Sequence, residues 1–234
     1  MRHIILFLVF SLILSCETKH HKNSKQIEFI AHTQKRIDTL AFFLDSTTIA
    51  SAGSNKICLL STLVTDTTSQ SNVRFYSKEN HTWKLNYSFE DEQWSGEVIE
   101  PEIADFNNDG YKDFKYLKGT GARGGNGIYN LFIYDKKGDS LIYVVNSNEY
   151  PNLYYNKETN SINSYILTGG NETVFMRLAG NKLKPFATIE QYDKEVTVSE
   201  YDKNGNPKVI KIDTTNQYEP FADFTNYKPL KVKN

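Results

Sequence analysis

The densest group of chemistry-bearing residues is the run Asp105-Phe106-Asn107-Asn108-Asp109-Gly110-Tyr111-Lys112-Asp113. Its pattern, D-x-N-x-D-G-x-x-D, aims hard oxygen donors inward at alternate positions of a tight loop, and calcium takes six to eight such oxygens. Asp105, Asn107 and Asp109 would supply side-chain oxygens, Tyr111 its backbone carbonyl, and Asp113 a carboxylate acting directly or through water. Gly110 permits the sharp turn. Carboxylates this close repel one another unless a cation sits among them, which is the physical case for a structural Ca2+. The competing reading is an acidic Asx-turn joining two strands. The loop is not an EF-hand, because Tyr116 stands at the twelfth position, where a bidentate Glu is needed, and both flanks read as strand. Without that Glu the expected affinity is that of extracellular modules, about 0.1–1 mM, which suits a staple rather than a sensor.

One strand later comes Gly119-Thr120-Gly121-Ala122-Arg123-Gly124-Gly125-Asn126-Gly127. Phosphate-binding loops are also glycine-rich, but they lead into a helix and carry Gly-Lys-Ser/Thr. Here another strand follows, so the run reads as a hairpin tip. Its glycines would let a partner approach closely, with Arg123, Gly124, Gly125 and Asn126 as the contact residues. A tip with no partner is the plainer alternative.

The other candidates are sparse. His20 and His21 read as part of a solvated spacer, and neither His32 nor His81 has a nucleophile and acid around it. Cys58, in Ile57-Cys58-Leu59-Leu60, reads as a small buried hydrophobe. G-x-S-x-G, H-E-x-x-H and C-x-x-C do not occur. Glu97, Glu100 and Glu102 would be the acids of a glycosidase pair, although Glu100 and Glu102 share one strand face. Trp83 and Trp94 would be the stacking residues of a sugar platform.

Positioning these groups falls to short strands. Runs 37–44, 57–63, 73–76, 83–89, 98–103, 114–117, 128–134 and 141–145 are apolar or alternating, as are 162–167, 173–178, 183–189, 196–201 and 208–213. A further run, 27–32, precedes them. Hairpin turns are expected at Lys136-Lys137-Gly138-Asp139, Ala179-Gly180-Asn181 and Lys203-Asn204-Gly205-Asn206. No stretch keeps a helical apolar stripe for three turns. The 15 Tyr and 14 Phe suit strands. The predicted fold is all-β: antiparallel meandering hairpins in a propeller-like, sandwich or barrel arrangement, with one calcium-loop hairpin. The main domain is expected over residues 27–190. The more charged 191–234 would be a hairpin segment of the same domain, and 218–230 an irregular cover for the core.

The start of the chain sets its location. Arg2 and His3 precede an eleven-residue apolar run, 4–14, too short for a spanning helix. It ends in Ile13-Leu14-Ser15-Cys16, which resembles a bacterial lipobox. Residues 1–15 are therefore expected to be a lipoprotein signal peptide and Cys16 the lipid-bearing N-terminus, with 16–26 a lipidated cysteine and polar tether. Such acyl chains make a stable anchor, giving a periplasm-facing envelope protein, at the outer membrane by default. Of 27 basic residues the leader removes only Arg2, leaving 28 acidic residues untouched. The near-neutral balance offers no basic field for nucleic acid.

Taken in order, the D-F-N-N-D-G-Y-K-D loop, the glycine-rich tip, Tyr129-Asn130-Leu131-Phe132-Ile133-Tyr134, Asn160-Ser161-Ile162-Asn163-Ser164-Tyr165, Gly169-Gly170 and Asn181-Lys182-Leu183 resemble a family of exported bacterial proteins. These are related to the FG-GAP or VCBS calcium-loop repeats, and the resemblance spans roughly residues 100–190. One branch of the family neutralises a peptidoglycan-cleaving effector of a type IV secretion system as a lysozyme-inhibiting immunity protein. The resemblance implies a non-enzymatic binding lipoprotein whose partner is a cell-wall hydrolase. The alternative is a carbohydrate-active envelope hydrolase with a structural calcium.

Overall fold

The computed structural model describes residues 38–94, 96, 99–214 and 216–233. The leader, Cys16, the tether with His20 and His21, the run 27–32 with His32, and Glu97 lie outside the described residues. Ile37–Asn234 forms one compact unit.

Three antiparallel meanders and a final hairpin make up this unit. The first sheet runs β1 (Thr39–Asp45), β2 (Asn55–Leu63), β3 (Thr68–Glu79) and β4 (Thr82–Trp94). The second runs β5 (Pro101–Ala104), β6 (Asp113–Gly121), β7 (Asn126–Asp135) and β8 (Ser140–Tyr143). The third runs β9 (Tyr154–Asn156), β10 (Ser161–Leu167), β11 (Asn171–Ala179), β12 (Lys182–Tyr192), β13 (Glu195–Tyr201) and β14 (Pro207–Asp213). A small hairpin follows, β15 (Phe224–Tyr227) with β16 (Leu230–Val232). Each sheet pairs its strands in sequence order and stays open. The chain is all-β and antiparallel, and of the expected arrangements it is the sandwich-like one: stacked open sheets.

Side-chain alternation explains the stacking. Ile57, Leu59, Val73 and Phe75 of the first sheet pack against Phe114, Tyr116, Phe132 and Tyr134 of the second. The opposite face of β7 sends Leu131 and Ile133 against Ile162, Val174, Met176 and Leu183 of the third. Phe175, Ala187, Ile189 and Val198 then face Ala222 and Phe224. The middle sheet is thus buried on both sides, and each fully buried large apolar side chain contributes about 1.5–3 kcal/mol. Residues 191–213 continue the third sheet, and the segment expected to be irregular contains β15 and the first residue of β16.

The first layer is apolar only at mid-height. At one end Asn55 and Ser77 meet the β7–β8 turn. There the Asp139 carboxylate accepts from Asn55 Nδ2 and the Tyr134 hydroxyl, both at 2.9 Å, and Asn86 Nδ2 donates to the Asp139 carbonyl at 3.0 Å. At the other end the inward residues are Ser61, Ser69, Ser71 and Gln93, all buried. Between the second and third layers lies Lys115, bonded to the Leu153 carbonyl and to Glu102 at 3.0 Å, with its ammonium 4.4 Å from the Tyr129 ring centre. Burial pulls its pKa down, against the pull of Glu102.

Candidate binding surface and acidic loop

The acidic run joins β5 to β6, as the flanking apolar residues require. Asp105 accepts from the backbone N–H of Asp109 at 3.2 Å and of Gly110 at 2.9 Å. Asn107 accepts from Asp109 N–H at 3.1 Å, and Asp109 from Tyr111 N–H at 2.9 Å. Asn108 and Gly110 take positive φ, 60° and 89°, to close the turn. Asp113 turns inward instead. Its buried carboxylate accepts from Phe106 N–H at 2.8 Å and Tyr134 N–H at 2.9 Å, tying the loop to β7. Burial pushes its pKa up to about 7 against those two hydrogen bonds, and the charges of Asp109 and Asp105 add to the rise.

The donors are all hard oxygens, as calcium requires, and a cation would relieve the repulsion that Asp113 feels from Asp105 and Asp109. Among the described residues, however, no group of three or more His, Cys, Asp or Glu side chains is gathered as a metal cluster. Asp105, Asn107 and Asp109 instead accept from the N–H groups of a turn that these bonds already close. A cation there would reinforce the turn rather than create it.

The glycine-rich tip is clamped on both sides. Asn126 Nδ2 donates to the Leu167 carbonyl at 3.0 Å, and its Oδ1 accepts from Leu167 N–H at 2.9 Å. Asn152 Nδ2 donates to the carbonyls of Gly125 and Tyr165, both at 2.8 Å, while its Oδ1 accepts from Gly127 N–H at 2.9 Å. At the apex Ala122 and Arg123 adopt positive φ, 48° and 58°. Such a conformation costs a non-glycine residue about 1–3 kcal/mol and persists only where surroundings enforce it. Arg123 is exposed and makes no hydrogen bond or ion pair among the described residues.

Beside the tip, Ala122, Arg123, Tyr165, Leu167, Gly169, Gly170 and Phe221 line a mainly apolar groove of about 690 Å³. Phe221 is 55% exposed and also has positive φ, 62°, which is unusual for an aromatic residue. Tyr165 holds it there by donating its hydroxyl to the Phe221 carbonyl. Of the expected contact residues, Arg123 lines the groove, whereas Gly125 and Asn126 are the means of holding the tip against β10. Tyr165, Gly170 and Phe221 had not been read as site residues.

No family model and no curated protein matches this chain. Among solved structures it is similar to that of a Xanthomonas type IV secretion system related protein, at 12% identity and a TM-score of 0.48 over 75% of this chain and 100% of that one. A likeness of that size carries no functional weight.

The remaining candidates disperse. Trp83 and Trp94 open and close β4, roughly 35 Å apart at strand rise, so they form no common platform. Glu102 is engaged by Lys115. Cys58 is half-buried on the opposite face from Ile57 and Leu59 rather than in the core, and burial raises its thiol pKa. His81 sits at positive φ in the exposed β3–β4 turn.

Proposed function

We propose that this chain is a non-enzymatic, lipid-anchored envelope protein that binds a protein partner, a cell-wall hydrolase, through the groove beside Arg123. The observation that carries the reading is the convergence of three non-glycine residues of positive φ, Ala122, Arg123 and Phe221, on one exposed groove. Asn126, Asn152 and Tyr165 hold them in place. Strained backbone maintained by dedicated hydrogen bonds is a mark of a preformed binding surface, and preorganisation reduces the entropic cost of association. An exposed aromatic next to an unpaired arginine is the composition of an interface hot spot.

The lipobox-like Cys16 and the sequence resemblance to exported calcium-loop proteins support the location and the class of partner. Ca2+ at Asp105, Asn107 and Asp109, with the Tyr111 carbonyl and Asp113 behind them, would be a structural staple holding β5 to β6 at the end of β6 away from the tip. The experiment is peptidoglycan hydrolysis by a set of purified muramidases with rising amounts of this chain. Dose-dependent inhibition of one of them supports the reading, and inhibition of none removes its inhibitory part.

A further inference from the structure

The outer face of the first sheet looks away from the core, and its register sorts it into two unlike halves. On one side Phe42 lies opposite Leu60 and Leu44 opposite Cys58, so β1 and β2 present one apolar block. Phe42 is 63% exposed and Leu44 52%, whereas Phe43 between them is turned into the core. On the other side, Leu85 and Trp83 of β4 stand opposite Tyr76 and Lys78, and Leu85 is 48% exposed. Three cations, Lys56, Arg74 and Lys78, run between these apolar groups. Lys56 lies across from Tyr76, its ammonium 4.4 Å from that ring centre and 4.7 Å from that of Trp83, and Lys78 is 5.7 Å from Trp83. Arg74 stands across from Cys58. Burial raises the Cys58 thiol pKa, and the charges of Arg74 and Lys56 pull against it from either side.

Among the described residues none of these three cations makes a side-chain hydrogen bond or an ion pair. The acids of the face stand in its other half, where Glu90 accepts from Gln70 Nε2 at 3.1 Å and Glu92 lies beyond it. Glu79, at the β3–β4 turn, is taken by Lys84 at 2.9 Å. An acidic polymer would engage the cations and rings but leave Phe42, Leu44 and Leu85 in water. Protein interfaces, for their part, are depleted in lysine. A bilayer uses every one of these groups. Apolar side chains enter the headgroup boundary, Trp and Tyr favour that depth, and Lys and Arg meet phosphates while their stems lie along apolar surface. β1 is also the first strand, so an anchored N-terminal segment joins the domain on the strand that carries Phe42 and Leu44. We infer that this half of the face docks on an anionic phospholipid bilayer. Phe42, Leu44, Trp83 and Leu85 are the inserting side chains, and Lys56, Arg74 and Lys78 the phosphate contacts. The inference rests on the lipid-anchored reading above, which brings a bilayer within reach.

The test uses the full chain reconstituted into vesicles of mixed phosphatidylcholine and phosphatidylglycerol, with and without bromine on the acyl chains. A Trp94→Phe background reports Trp83 alone, and Trp83→Phe reports Trp94, at the other end of the strand and in the acidic half. Bromine quenches an indole only at the membrane boundary, so Trp83 is expected to lose about half or more of its emission and Trp94 little. Arg74→Glu with Lys78→Glu reverses two exposed charges that have no ion pair. That double variant is expected to melt as its parent does while Trp83 escapes quenching. Flotation with the vesicles is recorded in parallel. A chain that floats with Trp83 unquenched leaves the lipid anchor standing and overturns the inference. Equal quenching of the two tryptophans, or unchanged quenching in the double variant, overturns it as well. A chain that does not float at all overturns the anchor together with the inference.

Discussion

Asn126 binds both backbone groups of Leu167, donating to its carbonyl at 3.0 Å and accepting from its N–H at 2.9 Å. A side chain on β7 thereby imitates one step of a β-ladder against β10, and the glycine-rich tip is fixed to the third sheet by a residue from the second. Asn126→Ala leaves a donor and an acceptor of Leu167 without partners. A loss of about 1–3 kcal/mol is expected. The Leu167 amide should also exchange hydrogen much faster than its β10 neighbours, as NMR would show.

Two glycines, Gly170 on the groove and Gly125 in the tip beside it, differ in what they protect. A Cβ on Gly170 would lie 2.4 Å from the Gln191 carbonyl oxygen, which is backbone and cannot move aside. On Gly125 it would meet Leu167 Cδ1 at 2.6 Å, the far end of a side chain that can rotate. Gly170→Ala should therefore destabilise by about 1–3 kcal/mol or more and Gly125→Ala by less, an order that paired thermal melts would reverse if the clamp were differently built.

Asp139 ties the second layer to the first. Burial acts to raise its pKa, but hydrogen bonds from Ser77, Asn55 and Tyr134 outweigh it and hold the carboxyl below its ordinary value. A depressed acid contributes stability above its unfolded pKa and loses it as pH falls through the folded one. The stability difference between wild type and Asp139→Ala should be constant above about pH 5 and shrink below about pH 4. Denaturant titrations across that range provide the check, and a difference that grows on acidification would rule out the latch.

Asp113 has the opposite sign. With its pKa raised to about 7, the folded chain binds the extra proton, so this group's contribution falls as pH rises from about 4 through 7. A cation at the loop favours the carboxylate and opposes that decline. About 10 mM calcium should raise the melting temperature more at pH 8 than at pH 5, by the equivalent of about 1–3 kcal/mol at the higher pH. Asp109→Ala should abolish the shift, and an equal shift in that variant would locate the ion elsewhere.

Much of this was legible in the residues. Residues 57–63 were legible by their alternation, because β2 has one face in the core, and residues 128–134 by their apolar run, because β7 is buried on both faces. The turn at Lys136-Lys137-Gly138-Asp139 followed from Gly138 and Asp139, and the position of the acidic loop between β5 and β6 from Gly110 and its aspartates. Other features were hidden for physical reasons. Asp113 reads as a fourth side-chain ligand by spacing, yet its carboxylate is held inward by Tyr134 N–H, a partner on the next strand. The groove is assembled from segments some 40 to 100 residues apart, so Tyr165 and Phe221 carried no local signal beyond the neighbouring Gly169-Gly170 and Pro220. β9, β15 and β16 are too short to show a periodicity, and β9 is tied to β15 by a side chain, Asn156 Nδ2 donating to the Thr225 carbonyl at 2.8 Å.

The central claim is that the groove beside Arg123 is the partner-binding surface, and muramidase inhibition by matched variants tests it most directly. Wild type, Arg123→Glu and Phe221→Ser would be compared for half-inhibitory concentration on isolated peptidoglycan, with melting temperatures recorded alongside. Both substituted side chains are exposed, so folding should be preserved, and each variant should lose about 2 kcal/mol or more of affinity, roughly thirtyfold. Inhibition by both variants at the wild-type concentration would contradict the account and place the surface elsewhere.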